Sequence, residues 1–470
     1  MKKLNSLILK ILAFAITVDV SGAALTNDKA AFRALYKELV EINTTLSVGS
    51  CTDAANAMAV HLRSAGIPDG DVNVIVPDKW PKQGNLVAAL RGSMPDSEAI
   101  LLLAHIDVVE ANRDDWERDP FKLVEENGYF FGRGTSDDKA MAAIFVDVLV
   151  RMSRSGYRPD RTIKLVLTCG EETPNTFNGA SYLLEHHRAL IEARFAINEG
   201  GGGRLDNAGR PIFNAIQAGE KLYQDYRLET VNSGGHSSRP RDDNAIYSLS
   251  MALNKISKYS FPIEFNGTTR GYFERLSSIE TGQIAEDMKA ILSHPPGPEA
   301  LARMVGNSSY NSVLHTTCVA TMLDAGHAPN ALPQRASANV NCRIFPGTTQ
   351  EEIRRQLESV VNDTDVSVSF VDPPESTSPP PPLTREILEP IEKLTEEMWP
   401  GIPVVPTMIA GGTDGRFLTP AGIPTYGVSG LFAVPGESNA HGLNEKMRVN
   451  SLFDGREFLG RLIRIYAGGK

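Results

Sequence analysis

The sequence predicts an α/β protein whose main domain carries a mostly parallel sheet covered by helices on both faces, with a smaller α+β layer inserted into it. Three observations predict this. From about Glu98 to Asn198, apolar runs of strand length alternate with helical patterns, as in a parallel sheet buried on both faces. After Lys221 the texture changes to residue-by-residue alternation, the mark of half-exposed strands. A run from Pro373-Pro374 to Pro379-Pro380-Pro381-Pro382 then forms a stiff connector leading back to the first domain.

Taken in order, Ala99 to Ala104 reads as a strand, Lys139 to Met152 as a helix, Ile163 to Thr168 as a strand, Ala180 to Ile191 as a helix and Phe195 to Ile197 as a third strand. The inserted layer runs strand Lys221 to Val231, helix Asn244 to Lys258, strand Ala336 to Phe345, helix Gln350 to Val361 and strand Val366 to Val371. Between these, Phe261 to Tyr310 is weakly periodic and rich in Gly, Pro and Ser, so an elaborated loop with one or two short helices is expected. Thr384 to Met398 is helical again. The predicted organisation is residues 1–23 a signal peptide, 24–219 and 376–470 the two parts of the main domain, and 220–375 the insert.

The start of the chain supports the first of these boundaries. Met1-Lys2-Lys3, an apolar stretch from Leu7 to Val18 broken by Lys10, and Ser21-Gly22-Ala23-Ala24 are the parts of a secretory signal peptide, so a secreted or periplasmic location is expected. The 470 residues carry a net charge of −10, which argues against a general attraction to nucleic acid or to an anionic membrane and favours a small substrate. The four cysteines, Cys51, Cys169, Cys318 and Cys342, are irregularly spaced and suggest neither a disulfide framework nor a thiolate zinc site. Any metal must be held by His, Asp and Glu.

Such residues cluster at the ends of the three buried strands: Ala104-His105-Ile106-Asp107, Gly170-Glu171-Glu172 and Asn198-Glu199-Gly200. Ligands in open parallel sheets gather outside the carboxyl ends of strands. Alternation places His105 and Asp107 on one face, where a carboxylate can accept the second N–H of a ligating imidazole. Gly132-Arg133-Gly134-Thr135-Ser136-Asp137-Asp138-Lys139 is a glycine-rich turn entering a helix. Asp138 reads as a helix-capping acid, whereas Asp137 has the two oxygens needed to bridge a pair of metal ions. Of the neighbours Glu171 and Glu172, one can ligate while the other acts as a general base. His236, in Ser233-Gly234-Gly235-His236-Ser237-Ser238, and His441, in Ser438 to Glu445, lie in polar glycine-rich loops where a histidine has little apolar packing to do.

Together, His105-x-Asp107, Gly-Arg-Gly-x-x-Asp137-Asp138-Lys, Glu171-Glu172, Asn198-Glu199-Gly-Gly, Gly-Gly-His236-Ser-Ser and the late His441 resemble the M20 family of dinuclear zinc hydrolases, in order and over about residues 30 to 465. Arg-Gly-Thr-x-Asp-Asp-Lys and the long insert look closest to its carboxypeptidase S and N-acyl-amino-acid hydrolase branch. The resemblance implies two zinc ions per subunit, replaceable by manganese or cobalt, one on His105 and Glu199 and one on Glu172 and His441, with Asp137 bridging. It implies that Asp107 orients His105, that Glu171 is the general base and acid, and that the insert is a dimerisation or lid domain. From there His236 would stabilise the oxyanion in the partner subunit's site. Asn330 and Arg343 stand where family members contact substrate, Arg343 gripping a carboxylate. Gly411-Gly412-Thr413-Asp414-Gly415-Arg416 resembles a further substrate segment, one residue shorter than in the desuccinylases, and Ala140 stands where glycine is common.

The implied reaction is hydrolysis of an amide bond to an amino acid with a free carboxylate, of carboxypeptidase or dipeptidase type. The alternative is an N-acyl-amino-acid amidohydrolase using the same machinery, and a more remote one is a catalytically silent binding protein, against which the presence of Glu171 and every ligand counts. A serine hydrolase is disfavoured by the absence of a Gly-x-Ser-x-Gly elbow, and no phosphate loop or dinucleotide fingerprint occurs. The expected partners are therefore a small peptide or N-acyl amino acid and a second copy of the chain, with no nucleic acid and, once processed, no membrane.

Overall fold

The computed structural model describes residues 28–94, 96–173 and 176–470, so the expected signal peptide lies outside the described residues. The described chain forms two compact units, one comprising residues up to 183, 187–193 and 430–470, the other 184–186 and 194–429.

The first unit begins with a helix over 28–41 (α1) and a second, Cys51–Ser64 (α2), capped by the Ser50 side chain. Strands Val72–Ile75 (β1), Asn85–Leu90 (β2), Ile100–His105 (β3), Val124–Glu126 (β4), Tyr129–Phe131 (β5) and Ile163–Thr168 (β6) follow, with helix Lys139–Arg154 (α3) before β6. In this unit β1 pairs antiparallel with β2, β2 antiparallel with β6, and β6 parallel with β3. Every residue of β3 is buried, which is why its sequence is a continuous apolar run rather than an alternating one. From Lys139 to Val150 every side chain of α3 is also buried, as expected of a helix apolar on all sides. The C-terminal helix Val449–Ala467 is tied to it by Arg456, whose guanidinium pairs with Asp147 at 2.8 Å.

Two features of this unit position the site. The strand Lys446–Arg448 pairs antiparallel with β5, Lys446 opposite Phe131, so the loop before it lies beside the turn that follows β5. A disulfide joins Cys51, at the start of α2, to Cys169, just past β6.

The second unit holds Phe195–Asn198 (β7), Gly202–Leu205 (β8), Pro211–Glu220 (β9), Leu222–Val231 (β10) and Gly235–His236 (β11). Thr317–Ala325 (β12), Ala331–Leu332 (β13), Arg335–Ile344 (β14), Val366–Phe370 (β15), Val404–Ile409 (β16) and Thr425–Gly427 (β17) complete its strands. β7 runs parallel to β17 and β16 parallel to β9, while β8 is antiparallel to β9. The α/β class therefore holds, with parallel pairs at the centre and antiparallel strands added to them.

β12, β14, β10 and β15 form a separate antiparallel sheet in that order. Burial alternates residue by residue along β10, matching its sequence pattern. Leu228, Val340 and Val368 on the buried face pack against Leu249 of helix Ala245–Lys258 and Leu357 of helix Gln350–Val361. A second disulfide, Cys318–Cys342, crosses directly between paired positions of β12 and β14.

Three expectations are corrected. All four cysteines are paired, because the fold joins positions 118 and 24 residues apart that spacing alone cannot associate. The helix expected over Ala180 to Ile191 is split into Gly179–His186 and Arg188–Ile191. The segment from Phe261 to Tyr310 is not a loop but a run of helices, Gly267–Ile279, Gln283–Ile291, Pro298–Val305 and the start of Ser308–Leu314. Several of its Asn, Gly and Pro residues sit at helix starts, Asn266 in a capping box, Gly282, Gly297 and Asn307 at N-caps and Pro298 in a first turn, and Phe273, Leu276, Met288 and Met304 bury against Phe213 of β9 and Val405 of β16. Among the described residues no helix is long and apolar enough to cross a membrane.

Candidate metal centre

In the first unit, β3 and β6 run parallel with His105 opposite Thr168, so His105 and the Gly170-Glu171-Glu172 segment emerge from the same sheet end. Nε2 of His105 lies 3.0 Å from Oδ1 of Asp137, and Nε2 of His441 lies 3.1 Å from Oδ2 of the same carboxylate. His441 also stands 2.9 Å from Glu172. His105, Glu171 and Glu172 form one group of donors within 4.8 Å of one another, and Asp137, Glu172 and His441 form a second. The tail histidine thus meets residues more than 260 positions earlier.

Charge in this cluster is out of balance. Burial opposes ionisation of Asp137, but hydrogen bonds from His105 and then His441 hold it well below the usual carboxylate range. Hydrogen bonds to Asp137 and Glu172 push His441 up to about 10. The carboxylates therefore draw positive charge to the space between them, and imidazole nitrogens with carboxylate oxygens are the donor set that suits zinc and similar divalent ions. The residues present fit such a group.

Asp107 differs from expectation in how it reaches His105. Nδ1 of His105 lies 3.1 Å from the main-chain carbonyl of Asp107 and 3.8 Å from its carboxylate. The carboxylate instead accepts the main-chain N–H groups of Glu171 at 3.3 Å and Glu172 at 3.0 Å. One residue thus contacts the imidazole through its backbone and steadies the two glutamates through its side chain. Asp138 occupies the N-cap position of α3, but its buried side chain makes no capping hydrogen bond.

Glu445 was not singled out by sequence. Wholly buried, it accepts from the N–H groups of Gly134, Ser136 and Asp137 at 2.9, 2.7 and 3.1 Å and pairs with Arg133 at 2.9 Å. Lys139, also buried, donates to the carbonyl of Ile42.

Glu199, His236, Asn330 and Arg343 belong to the second unit. Glu199 follows β7, before Gly200 and Gly201 in left-handed conformations. A Cβ on Gly201 would lie 2.4 Å from the carbonyl oxygen of Gly427, so this turn requires glycine. β11 pairs with β13, placing His236 opposite Ala331, and Ser237 N–H donates to the carbonyl of Asn330, so these two candidate loops are neighbours. Nδ1 of His236, an exposed residue, accepts from Ser238 N–H at 3.1 Å, so the ring has Nε2 as its donor. Arg343, on β14, stacks its guanidinium 4.7 Å from the centre of the Tyr223 ring.

A half-open cleft of about 40 Å³ in this unit is lined by Asn198, Gln217, Glu220, Thr413 and Arg416, with Pro379 to Pro381 on one wall. Thr413 N–H donates to Glu220 at 2.6 Å, and burial lifts the Glu220 carboxyl to about 8.

A model of peptidase family M20/M25/M40 matches residues 101–465. The chain belongs to this family. As the motifs imply, it is an M20 metallohydrolase acting on peptide or other amide bonds. The M20 chain is 30% identical over 392 residues to human N-fatty-acyl-amino acid synthase/hydrolase PM20D1, spanning 80% of this chain and 75% of that protein. It is 27% identical over 287 residues to carboxypeptidase S of Saccharomyces cerevisiae, covering 58% and 50% of the two chains. In fold it is similar to the M20 metallo-carboxypeptidase Sso-CP2 from Sulfolobus solfataricus, with a TM-score of 0.67 at 18% identity over 93% of this chain and 99% of that one.

Proposed function

We propose that this M20 enzyme hydrolyses the amide bond between an acyl or peptidyl group and an amino acid with a free carboxylate, using two zinc ions. The observation that carries the reading is the Asp137 carboxylate, whose two oxygens each address a different histidine, 3.0 Å from His105 and 3.1 Å from His441. His105 and Glu199 would hold one ion and Glu172 and His441 the other, with Asp137 between them; the pair would supply Lewis-acid polarisation and a nucleophile at neutral pH, and manganese or cobalt would be able to replace zinc.

Glu171 takes a proton from the attacking water and delivers it to the leaving nitrogen. The Asp107 carboxylate holds the Glu171 and Glu172 backbone in place for this. The Nε2–H of His236 donates to the carbonyl oxygen as charge develops there, and Arg343 pairs with the substrate carboxylate, with Asn330 beside His236. His236 serves the site of a second copy of the chain. Self-association is supported by β12, an edge strand that exposes Val319, Met322 and Leu323. The two disulfides support a secreted or periplasmic location, where thiols are oxidised.

The carboxypeptidase or dipeptidase form of the reaction is supported by the likeness to carboxypeptidase S and Sso-CP2. The N-acyl-amino-acid form is favoured by the similarity to PM20D1. A panel of N-acyl amino acids and dipeptides, assayed with added zinc and after chelation, tests both. Turnover of neither class, or turnover unaffected by prolonged chelation, would overturn the proposal.

A further inference from the structure

We propose that Arg133 and Glu445 form a buried clasp that fixes the Asp137 turn to the His441 loop, making them positioning residues for the metal pair. The inference rests on the dinuclear reading above and extends it to two residues that are not themselves ligands.

The Glu445 carboxyl group sits inside the Gly132–Asp137 turn and accepts from the donors around it. Its Oε1 accepts from the N–H groups of Ser136 and Asp137, and its Oε2 from the N–H of Gly134 and from Nη1 of Arg133. The amide of Asp137 is itself among the donors, so the backbone that aims the bridging carboxylate is held at its own residue. Gly134 is suited to this turn: it has a left-handed φ, and a Cβ there would meet Val108 at 2.7 Å.

The other arm of the clasp reaches the tail. Nη2 of Arg133 donates to the carbonyl of Gly442 at 2.9 Å and lies 3.5 Å from that of His441, while Gly132 N–H donates to the Glu445 carbonyl at 3.1 Å. The guanidinium lies 5.0 Å from the centre of the Trp116 ring, which fixes its plane. This loop needs holding. Asn439, His441 and Asn444 all have positive φ, and at 61° His441 occupies a conformation that non-glycine residues keep only when their surroundings impose it. The Arg133–Glu445 pair is 3% and 0% exposed at its side chains, so water does not compete for these bonds.

The test is cobalt binding to metal-free Glu445→Gln. A glutamine head has one N–H₂ in place of an acceptor oxygen, so it cannot satisfy both the amides and Arg133. Loss of outer partners of a metal site typically lowers affinity about 10–100-fold, and that weakening is expected here, with a changed visible spectrum of the bound cobalt. Arg456→Gln breaks a buried pair, with Asp147 and Asp28, that includes neither Arg133 nor Glu445, and should lower the melting temperature without changing cobalt affinity. Cobalt binding by Glu445→Gln equal to that of wild type, or weakening by Arg456→Gln as well, overturns the clasp and leaves the dinuclear reading standing. Failure of the wild-type chain to bind cobalt overturns that reading instead. Amide exchange on the metal-free wild-type protein needs no variant: Ser136 and Asp137 should be protected, and exchange at the rate of open loop amides overturns the clasp even if Glu445→Gln does not fold.

Discussion

Glu172 and His441 stand 2.9 Å apart although the whole second unit and most of the chain separate them in sequence. Because the strand Lys446–Arg448 adds to β5, the tail is a structural edge of the same unit as the sheet end that carries Glu172. His441→Ala should therefore remove about half of the bound zinc, measured by atomic absorption on dialysed protein. Unchanged zinc stoichiometry would exclude His441 as a ligand.

Glu171→Gln keeps the shape of the side chain and the backbone N–H that Asp107 accepts, while removing the base. Metal content should remain near that of wild type and kcat should fall by about 10²–10⁴-fold, the usual worth of a positioned acid or base. Stopped assays with an N-acyl amino acid decide it. Turnover within tenfold of wild type would remove Glu171 from its role.

If His236 acts on the site of a second copy, His236→Ala and Glu171→Gln are each impaired as pure proteins but complement when mixed and reassociated. One subunit of the mixed dimer then supplies His236 to the intact Glu171 of the other; about half of randomly reassociated dimers are mixed and each holds one intact site of two, so the expected recovery is about a quarter of wild-type activity. Absence of recovery, with sedimentation showing mixed dimers, would place His236 in its own subunit's site. Met322→Lys together with Leu323→Lys, on the exposed edge of β12, should shift the sedimentation coefficient toward that of a monomer.

Glu220 carries a pH dependence whose sign can be worked out. Burial raises its folded pKa from the ordinary 4.5 to about 8, so between these values the native state binds a proton that the unfolded chain has released. The resulting stabilisation is fully present below about pH 4.5 and is lost as pH rises through about 8. Glu220→Gln cannot ionise, and its unfolding free energy should fall less steeply from pH 5 to pH 8 than that of wild type. Parallel wild-type and mutant profiles in urea titrations would show that Glu220 is not the source.

Much of the centre was legible because His105, Glu171 and Glu172 sit at the ends of unusually apolar strands, while Asp137 and His441 lie in glycine-rich segments. His105, Asp137, Glu171, Glu172 and His441 were all named from sequence, and the first unit brings these five together. What was not legible depends on pairing at a distance. Arg133 and Glu445 both lie inside motifs that drew notice, yet nothing in either segment says that they meet across 312 positions. The part played by the Asp107 backbone was hidden for another reason: a strand pattern fixes the face on which a side chain lies but not whether carbonyl or carboxylate lies nearer the ring. The helices between 261 and 310 were missed because capping residues and true loop residues are the same amino acids, and only burial against β9 and β16 tells them apart.

The Cys51–Cys169 bond has a consequence for making the protein. It closes a span of 118 positions one residue before Gly170-Glu171-Glu172, and closure of a loop of that size removes about 5 kcal/mol of freedom from the unfolded chain in the entropic model. A bacterial host with a reducing interior would have to assemble the glutamate-bearing segment without that help. Export to an oxidising space, or refolding with a glutathione couple, is the sensible first choice for obtaining active material.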